Sequence, residues 1–449
     1  MLRKVHFFFY ALILLVLTAC GGGGGAGNAV STSSASSSPS TTSTTTTTSQ
    51  PPCTLKTYNT NYPASFMGTR AIPTASGQFA NSIVRGIGLK DYYPGGENNG
   101  CASNAEYARL LYLKTLDKLV SDGVDVVEIY QYGPINDLAA KTWTTDEASW
   151  QIPKAELKWL VEAAHSKNLK VSLAWQLWPV DKLNKSMTVY NASNMPEAEM
   201  VRILRGWHDV MKSMAVLSND FKIDILNIQW SAFYFPQVTN YPEAATQEFL
   251  ALIDDVRSLY SGKLYMGTPR FYDKRIIQKV DAIIVPLTPL WPWTYADDAT
   301  MSVSSLKQKY TAQIMNIYAD FLAGAGLSPA NIPVIWDFNI QSRDKAISDG
   351  WVEDGFCISP ASNGAPVAYS DPNCIQKSYV TDFGVQAIAV EAAFQALQAQ
   401  TQFKTYGINF STGYWLTDTL VPSEEGFPNI SQSIRGKPAE SIVKAWYKR

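Results

Sequence analysis

Short apolar runs rich in valine and isoleucine recur along the chain at 83–89, 124–130, 169–175, 223–229, 263–267, 281–287, 332–338 and 406–411. Runs of this length between polar segments have the pattern of strands buried on both faces. Between them the period changes to that of a helix. Ser103 with Glu106 forms a capping box that opens a helix over 104–121, and Gly123 is its stop. Pro153 belongs at a first helical turn, after which Leu157, Leu160, Val161 and Ala164 fall on one face. Further helices are predicted at 196–217, 242–260, 303–323, 380–401 and 437–447, with a short one from Tyr272 to Lys279. Eight strands alternating with helices predict a parallel sheet, and the number eight favours closure over an open doubly wound sheet. The expected fold class is therefore α/β, a (β/α)8 TIM barrel.

The first residues break this pattern. Arg3 and Lys4 precede an apolar run from Phe7 to Leu17, too short to span a membrane, and Leu17-Thr18-Ala19-Cys20 has the form of a bacterial lipobox. Residues 1–20 are accordingly expected to be a lipoprotein signal peptide with Cys20 as the lipidated residue. An ordinary signal peptide with a chance cysteine is the bland alternative. Residues 21–52 are glycine, serine and threonine with almost nothing to bury, which predicts a flexible linker. The folded part is then 53–449. The location implied is the cell envelope, outside the cytoplasm, held to the membrane by lipid; Gly21 after the cysteine favours the outer membrane of a Gram-negative cell.

Cys53, Cys101, Cys357 and Cys374 remain, an even number in an oxidising compartment. Two disulfides are expected, Cys357 with Cys374 by proximity and Cys53 with Cys101. A zinc site is disfavoured, because no Cys-x-x-Cys spacing occurs and only His165 and His208 lie beyond the signal segment. The same scarcity of histidine leaves little for a Ser-His-Asp triad. Gly86-Ile87-Gly88 lacks the third glycine of a dinucleotide fingerprint and fits a strand where backbone packs tightly. No cofactor and no metal are expected. A net charge of -2 with no basic run argues against nucleic acid as a partner, and a monomer is expected.

Barrel enzymes carry their sites at the carboxyl ends of the strands. Here those ends hold Tyr92, Glu128, Tyr130, Trp175, Trp178, Gln229, Trp230, Trp291, Trp293, Trp336, Asp337, Asn339, Trp415 and Asp418. Flat rings beside amides and carboxylates suit a saccharide cleft, the rings for stacking and the planar polar groups for hydroxyls. Any one ring could instead cap the barrel core. For chemistry a carboxylate pair is what the inventory offers, one group to protonate a leaving oxygen and one as nucleophile or base. The expected partner is a polysaccharide or oligosaccharide.

The closing run Ile434-Arg435-Gly436-Lys437-Pro438-Ala439-Glu440, followed by Trp446-Tyr447, resembles the terminal motif of glycoside hydrolase family 113, retaining β-mannanases of the (β/α)8 clan. Val280-Asp281-Ala282-Ile283-Ile284-Val285 is similar to that family's strand six, and Ile332-Pro333-Val334-Ile335-Trp336 to its strand seven. The resemblance covers about 81 to 449. It implies catalytic glutamates at the ends of strands four and seven, and this chain departs from both. Strand four ends Asn227-Ile228-Gln229-Trp230-Ser231 without a carboxylate, while Asp337 reaches the strand-seven position only with one residue deleted; an ungapped match puts Phe338 there.

Two expectations follow. In one, the chain is a glycosidase with Asp337 as nucleophile and an acid moved to another strand end, Glu128 first, then Asp181 and Asp418. In the other it is a barrel without hydrolysis that binds glycan. Glu128 has a bland alternative as well, as a structural partner for a cation across the barrel. A purely structural envelope lipoprotein is disfavoured by the aromatic strand ends.

Overall fold

Strands with side chains alternating between two faces can close on themselves only if one face is filled and the other is covered. The structure, a computed structural model, describes residues 53–55, 62–90, 100–135, 147, 150–179, 196–228, 243–267, 274–287, 299–325, 328–347, 355–360, 366–367, 372–416 and 429–449. The signal peptide, Cys20 and the linker lie outside them. Eight parallel strands form a closed barrel in the order β1 (Val84–Lys90), β11 (Lys404–Trp415), β7 (Pro333–Phe338), β6 (Ala282–Pro286), β5 (Lys263–Gly267), β4 (Ile225–Asn227), β3 (Lys170–Pro179) and β2 (Val126–Ile135). Each overlaps one of the predicted runs. β2, β3 and β11 extend beyond those runs, because the ladder between β2 and β3 continues to Ile135 and Pro179 and that between β1 and β11 to Trp415.

Helices return the chain from each strand: α1 (Asn104–Ser121), α2 (Lys154–Ser166), α3 (Glu197–Asp220), α4 (Glu243–Leu259), the one-turn α5 (Lys274–Ile277), α6 (Val303–Ala325), α7 (Phe383–Ala399) and α8 (Pro438–Tyr447). Ser103 caps α1 by accepting from the Glu106 N–H, and the Glu106 carboxylate reaches back to the N–H of Ala102. Gly123 ends it at φ +83°, where a Cβ would stand 2.5 Å from the Tyr447 carbonyl oxygen. Pro153 stands one residue before α2, as its cap.

The barrel interior below the strand ends is an apolar plug of Val126, Ile225, Tyr265, Ala282, Ile284 and Ile335, with Val84 and Tyr406 against it. The outward faces join the helices in a separate, larger core. α7 is buried on every side, and its Glu391 is satisfied by Ser76 (N–H and Oγ, 3.0 and 2.6 Å), Gln395 (2.8 Å) and the Trp446 indole (2.7 Å). The residues before β1 thereby strap α7 and α8 together, Phe79 lying at 4.8 Å from the Trp446 ring.

Both expected disulfides are present, Cys53–Cys101 and Cys357–Cys374. The first ties the start of the folded part to the loop after β1, on the carboxyl-end side of the barrel. The second closes an insertion after β7 that the hydrophobic pattern did not reveal, a small antiparallel sheet of β8 (Gly355–Ile358), β9 (Pro366–Val367) and β10 (Ile375–Ser378) in the order β10-β8-β9. β10 is exposed throughout, so no buried face marks it in the sequence.

On the helix side, β11 is locked to α1 and α8 by acids. The Tyr414 hydroxyl lies 2.6 Å from both Asp122 Oδ2 and Glu440 Oε1, while Lys118 pairs with both carboxylates. Burial alone would raise the Asp122 carboxyl, but hydrogen bonds from Tyr414 and Lys118 outweigh it and hold the group below the ordinary carboxylate range. A lowered folded-state pKa contributes stability above the unfolded value, about 3.9, and that contribution is lost as pH falls through the folded one. Asp122→Asn should therefore be less stable than wild type at pH 7 by about 1–3 kcal/mol. In urea unfolding at a series of pH values, the gap should close below about pH 4.

Candidate active site

In a strand the side chains alternate, so the residues of the plug determine which of their neighbours also face inward. On β2, Val126 is in the plug, and Glu128 and Tyr130 follow it inward. On β4, Ile225 carries Asn227 inward. On β7, Ile335 carries Asp337 inward and leaves Trp336 and Phe338 to the helix layer, Phe338 packing on Phe410 at 5.3 Å between ring centroids. The pleat therefore turns Asp337, and not Phe338, toward the barrel interior.

These side chains meet above the plug. Asn409 of β11 donates from Nδ2 to Glu128 Oε2 at 2.8 Å and to Asp337 Oδ1 at 2.9 Å. The two oxygens are thus no farther apart than those two bonds laid end to end. Tyr130 donates to Glu128 Oε2 at 2.5 Å, and Asn227 makes a long 3.4 Å contact to Oε1. Asn339 donates to Ser411 Oγ at 3.2 Å, and Ser411 in turn hydrogen-bonds Asp337 through its side chain and its backbone. Glu128 is buried at 4% exposure, whereas Asp337 is partly open.

Two local features of the sequence make room for this cluster. Gly86 on β1 lies beside Asn409, where a Cβ would stand 2.8 Å from the amide oxygen. The tight packing expected of Gly86-Ile87-Gly88 is thus a seat for Asn409. In the β1–β11 ladder Ile87 pairs with Phe410 but Leu89 pairs with Tyr414, so β11 bulges over Ser411 to Gly413. A bulge re-aims side chains at a strand end, here turning Ser411 toward Asp337.

Burial pushes the Asp337 carboxyl up to about 7, the nearby Glu128 charge adding to the shift and the bonds from Ser411 and Asn409 opposing it. Burial raises Glu128 as well, against the donors Tyr130, Asn409 and Asn227. Two carboxyls that share a donor, with no cation paired to them among the described residues, suit proton sharing. Among the described residues the one cluster of cysteine, histidine or acid side chains with metal-like spacing is Cys53, Cys101 and Glu106, and its sulfurs are joined in a disulfide.

Several expected stacking residues are placed elsewhere. Trp336 is fully buried on the helix side, its indole donating to Thr405 at 3.1 Å and its ring against Phe403. Trp175 is likewise buried among the helices, edge-on to Trp150 at 5.0 Å. Both expectations are corrected by the pleat, which turns these positions away from the mouth. Trp415 is buried at the end of β11, and Tyr130 serves Glu128 directly. The Trp178 backbone, in β3, pairs with Pro134 of β2, but its side chain lies outside the described residues, as do Tyr92, Asp181, Gln229, Trp230, Trp291, Trp293 and Asp418. Asn409 and Ser411 were missed. The available signal was a polar residue at alternate positions of an otherwise apolar eighth run.

No protein-family model matches the chain, and no curated protein sequence matches it. Among solved structures it is similar to the family 113 β-mannanase AaManA of Alicyclobacillus acidocaldarius in complex with ManMIm, with a TM-score of 0.50 and 15% identity over 81% of this chain and 97% of that one. A family 113 β-1,4-mannanase complex aligns at TM-score 0.49 and 13% identity over 82% of this chain and 99% of the other. The first likeness supports the resemblance in fold expected from the terminal motif.

A raised folded-state pKa has the opposite sign to that of Asp122: the neutral carboxyl suits the fold, and stability is lost as pH rises from about 4 through about 7. Asp337→Asn should match wild type near pH 4. At pH 8 it should be the more stable protein, by on the order of 1–3 kcal/mol, in the same unfolding measurement.

Proposed function

We propose that this chain is a glycoside hydrolase of the cell envelope that cleaves a β-linked polysaccharide or oligosaccharide. The observation that carries the reading is the Asn409 amide shared between Glu128 and Asp337 at the carboxyl ends of the barrel strands. Glycoside hydrolysis needs two carboxyls, about 5–5.5 Å apart when configuration is retained and about 6.5–9.5 Å when it is inverted. Bonds of 2.8 and 2.9 Å to one nitrogen favour the shorter class and hence retention. The raised Asp337 carboxyl supplies a proton near neutral pH, where a general acid works best. Tyr92, Trp178, Trp230, Trp291 and Trp293 are proposed as stacking surfaces at the mouth, with Gln229, Asn339 and Asp418 as partners for sugar hydroxyls.

A second reading, an inactive carbohydrate-binding lipoprotein of the same fold, is favoured by one observation. Asn227 is the inward residue at the described end of β4, where the resembled family carries its acid, and Glu128 is nearly covered. Wild-type protein offered β-mannan, β-glucan and β-galactan should release reducing sugar from at least one, and proton NMR of the first product should show retained configuration. Affinity in calorimetry with no turnover on any of them would establish the binder instead.

The anchor is part of the same proposal, resting on the lipobox and the Gly/Ser/Thr linker. The Cys53–Cys101 disulfide supports a tether that leaves from the carboxyl-end side of the barrel, beside the cleft. Mass spectrometry of the mature amino terminus should find lipid on Cys20; an unmodified terminus at another residue would refute the anchor.

A further inference from the structure

Resting on the glycosidase reading, the geometry assigns the two carboxyls opposite roles to those the family resemblance implies. We propose that Glu128 is the nucleophile and that Asp337 is the acid/base.

A nucleophilic carboxylate has to be an anion with an open lone pair aimed at the reacting carbon, and its other oxygen is best held by donors. Glu128 has that form. Oε2 accepts from both Tyr130 and Asn409, whereas among the described residues Oε1 accepts a single, long bond of 3.4 Å from Asn227 and is the less engaged oxygen. The Asn227 and Asn409 nitrogens that face Glu128 are donors and cannot accept a proton from it. Glu128 also lies deeper than Asp337. Its reach to Asn227 on β4 and Asn409 on β11, strands far apart in the barrel order, places the carboxylate near the barrel axis, beneath a sugar entering from the mouth.

An acid/base group needs the reverse. It must hold a proton, meet the leaving oxygen, and then be reached by water. Asp337 is the partly open member of the pair. One of its partners is the Ser411 hydroxyl, which can turn to accept as well as donate, so the same setting accommodates the protonated and the ionised carboxyl.

In the first step an Oε1 lone pair of Glu128 forms a bond to the anomeric carbon. The bond from that carbon to the glycosidic oxygen breaks, and the oxygen keeps the electron pair and takes the proton of Asp337. In the second, water adds to the anomeric carbon and gives its proton to the Asp337 carboxylate, while the bond to Oε1 breaks and frees Glu128. Two displacements at one carbon retain configuration.

The test is trapping in the wild-type protein with an activated 2-deoxy-2-fluoro glycoside of whichever sugar it cleaves, followed by peptide mass spectrometry. A label on Glu128 is expected; a label on Asp337 or on any other residue overturns the assignment. Asp337→Ala provides a second readout. Its rate should fall on the order of 100-fold or more for glycosides with poor leaving groups and little for a dinitrophenyl glycoside. Azide should raise the latter rate and yield a glycosyl azide of the substrate's configuration. Azide product of inverted configuration from Asp337→Ala would make Asp337 the nucleophile. Wild type that cleaves no unfluorinated glycoside defeats the glycosidase reading itself, which is a different result from a label in the wrong place.

Discussion

The Asn409 amide shared by Glu128 and Asp337 is the constraint around which the upper half of the barrel is arranged. Two acids facing one another in a low-dielectric interior repel, and each loses the hydration it has in water. Among the described residues, what offsets that is donors placed by the fold. Asn409 serves both acids, Tyr130 and Asn227 serve Glu128, and Ser411 serves Asp337. Gly86 leaves the space in which the amide sits, and the bulge after Phe410 brings Ser411 into range. The carboxyls remain costly to bury, and their raised pKa values are the measure of that cost. Destabilisation of this kind is tolerated at sites with work to do.

The acids of the outer layer show the contrast. Asp122 and Glu440 meet Lys118, and Asp281 meets Arg257 and Lys263; burial is outweighed and the Asp122 and Asp281 carboxyls are lowered. The same residue type is thus pushed in opposite directions on the two faces of one sheet. Outside, cations are paired with acids to lock helices onto strands. Inside, at the pair, the neighbours are amides and hydroxyls, which can orient a carboxyl without neutralising it.

The likeness to a family 113 β-mannanase concerns the barrel. Asn227 stands inward on β4, and the acids stand on β2 and β7. A barrel interior permits this because every strand end points at the same axis. A carboxyl can be presented to that axis from any strand, provided donors surround it. Here they come from β2, β4 and β11, so the site depends on the closure of the sheet more than on any one strand.

Sequence alone determined the elements of the barrel. The eight apolar runs, the helices between them, the Ser103 cap, the Gly123 stop and both disulfides all depend on local periodicity, local chemistry or cysteine count, which a linear reading contains. Glu128 and Asp337 could be nominated in the same way, as acids at strand ends. What the sequence left open was phase. A strand buried on both faces is apolar at every position, so nothing in 332–338 says that Asp337 faces the barrel while Trp336 and Phe338 face the helices. Only the pairing of β7 with β6 and β11, which puts Ile335 in the plug, decides it. The same absence of alternation made Trp175 and Trp336 look available when they are packed among helices. Asn409 and Ser411 gain their meaning only from the register of β11 against β1 and from its bulge. Both are properties of two strands together, and neither strand carries them alone.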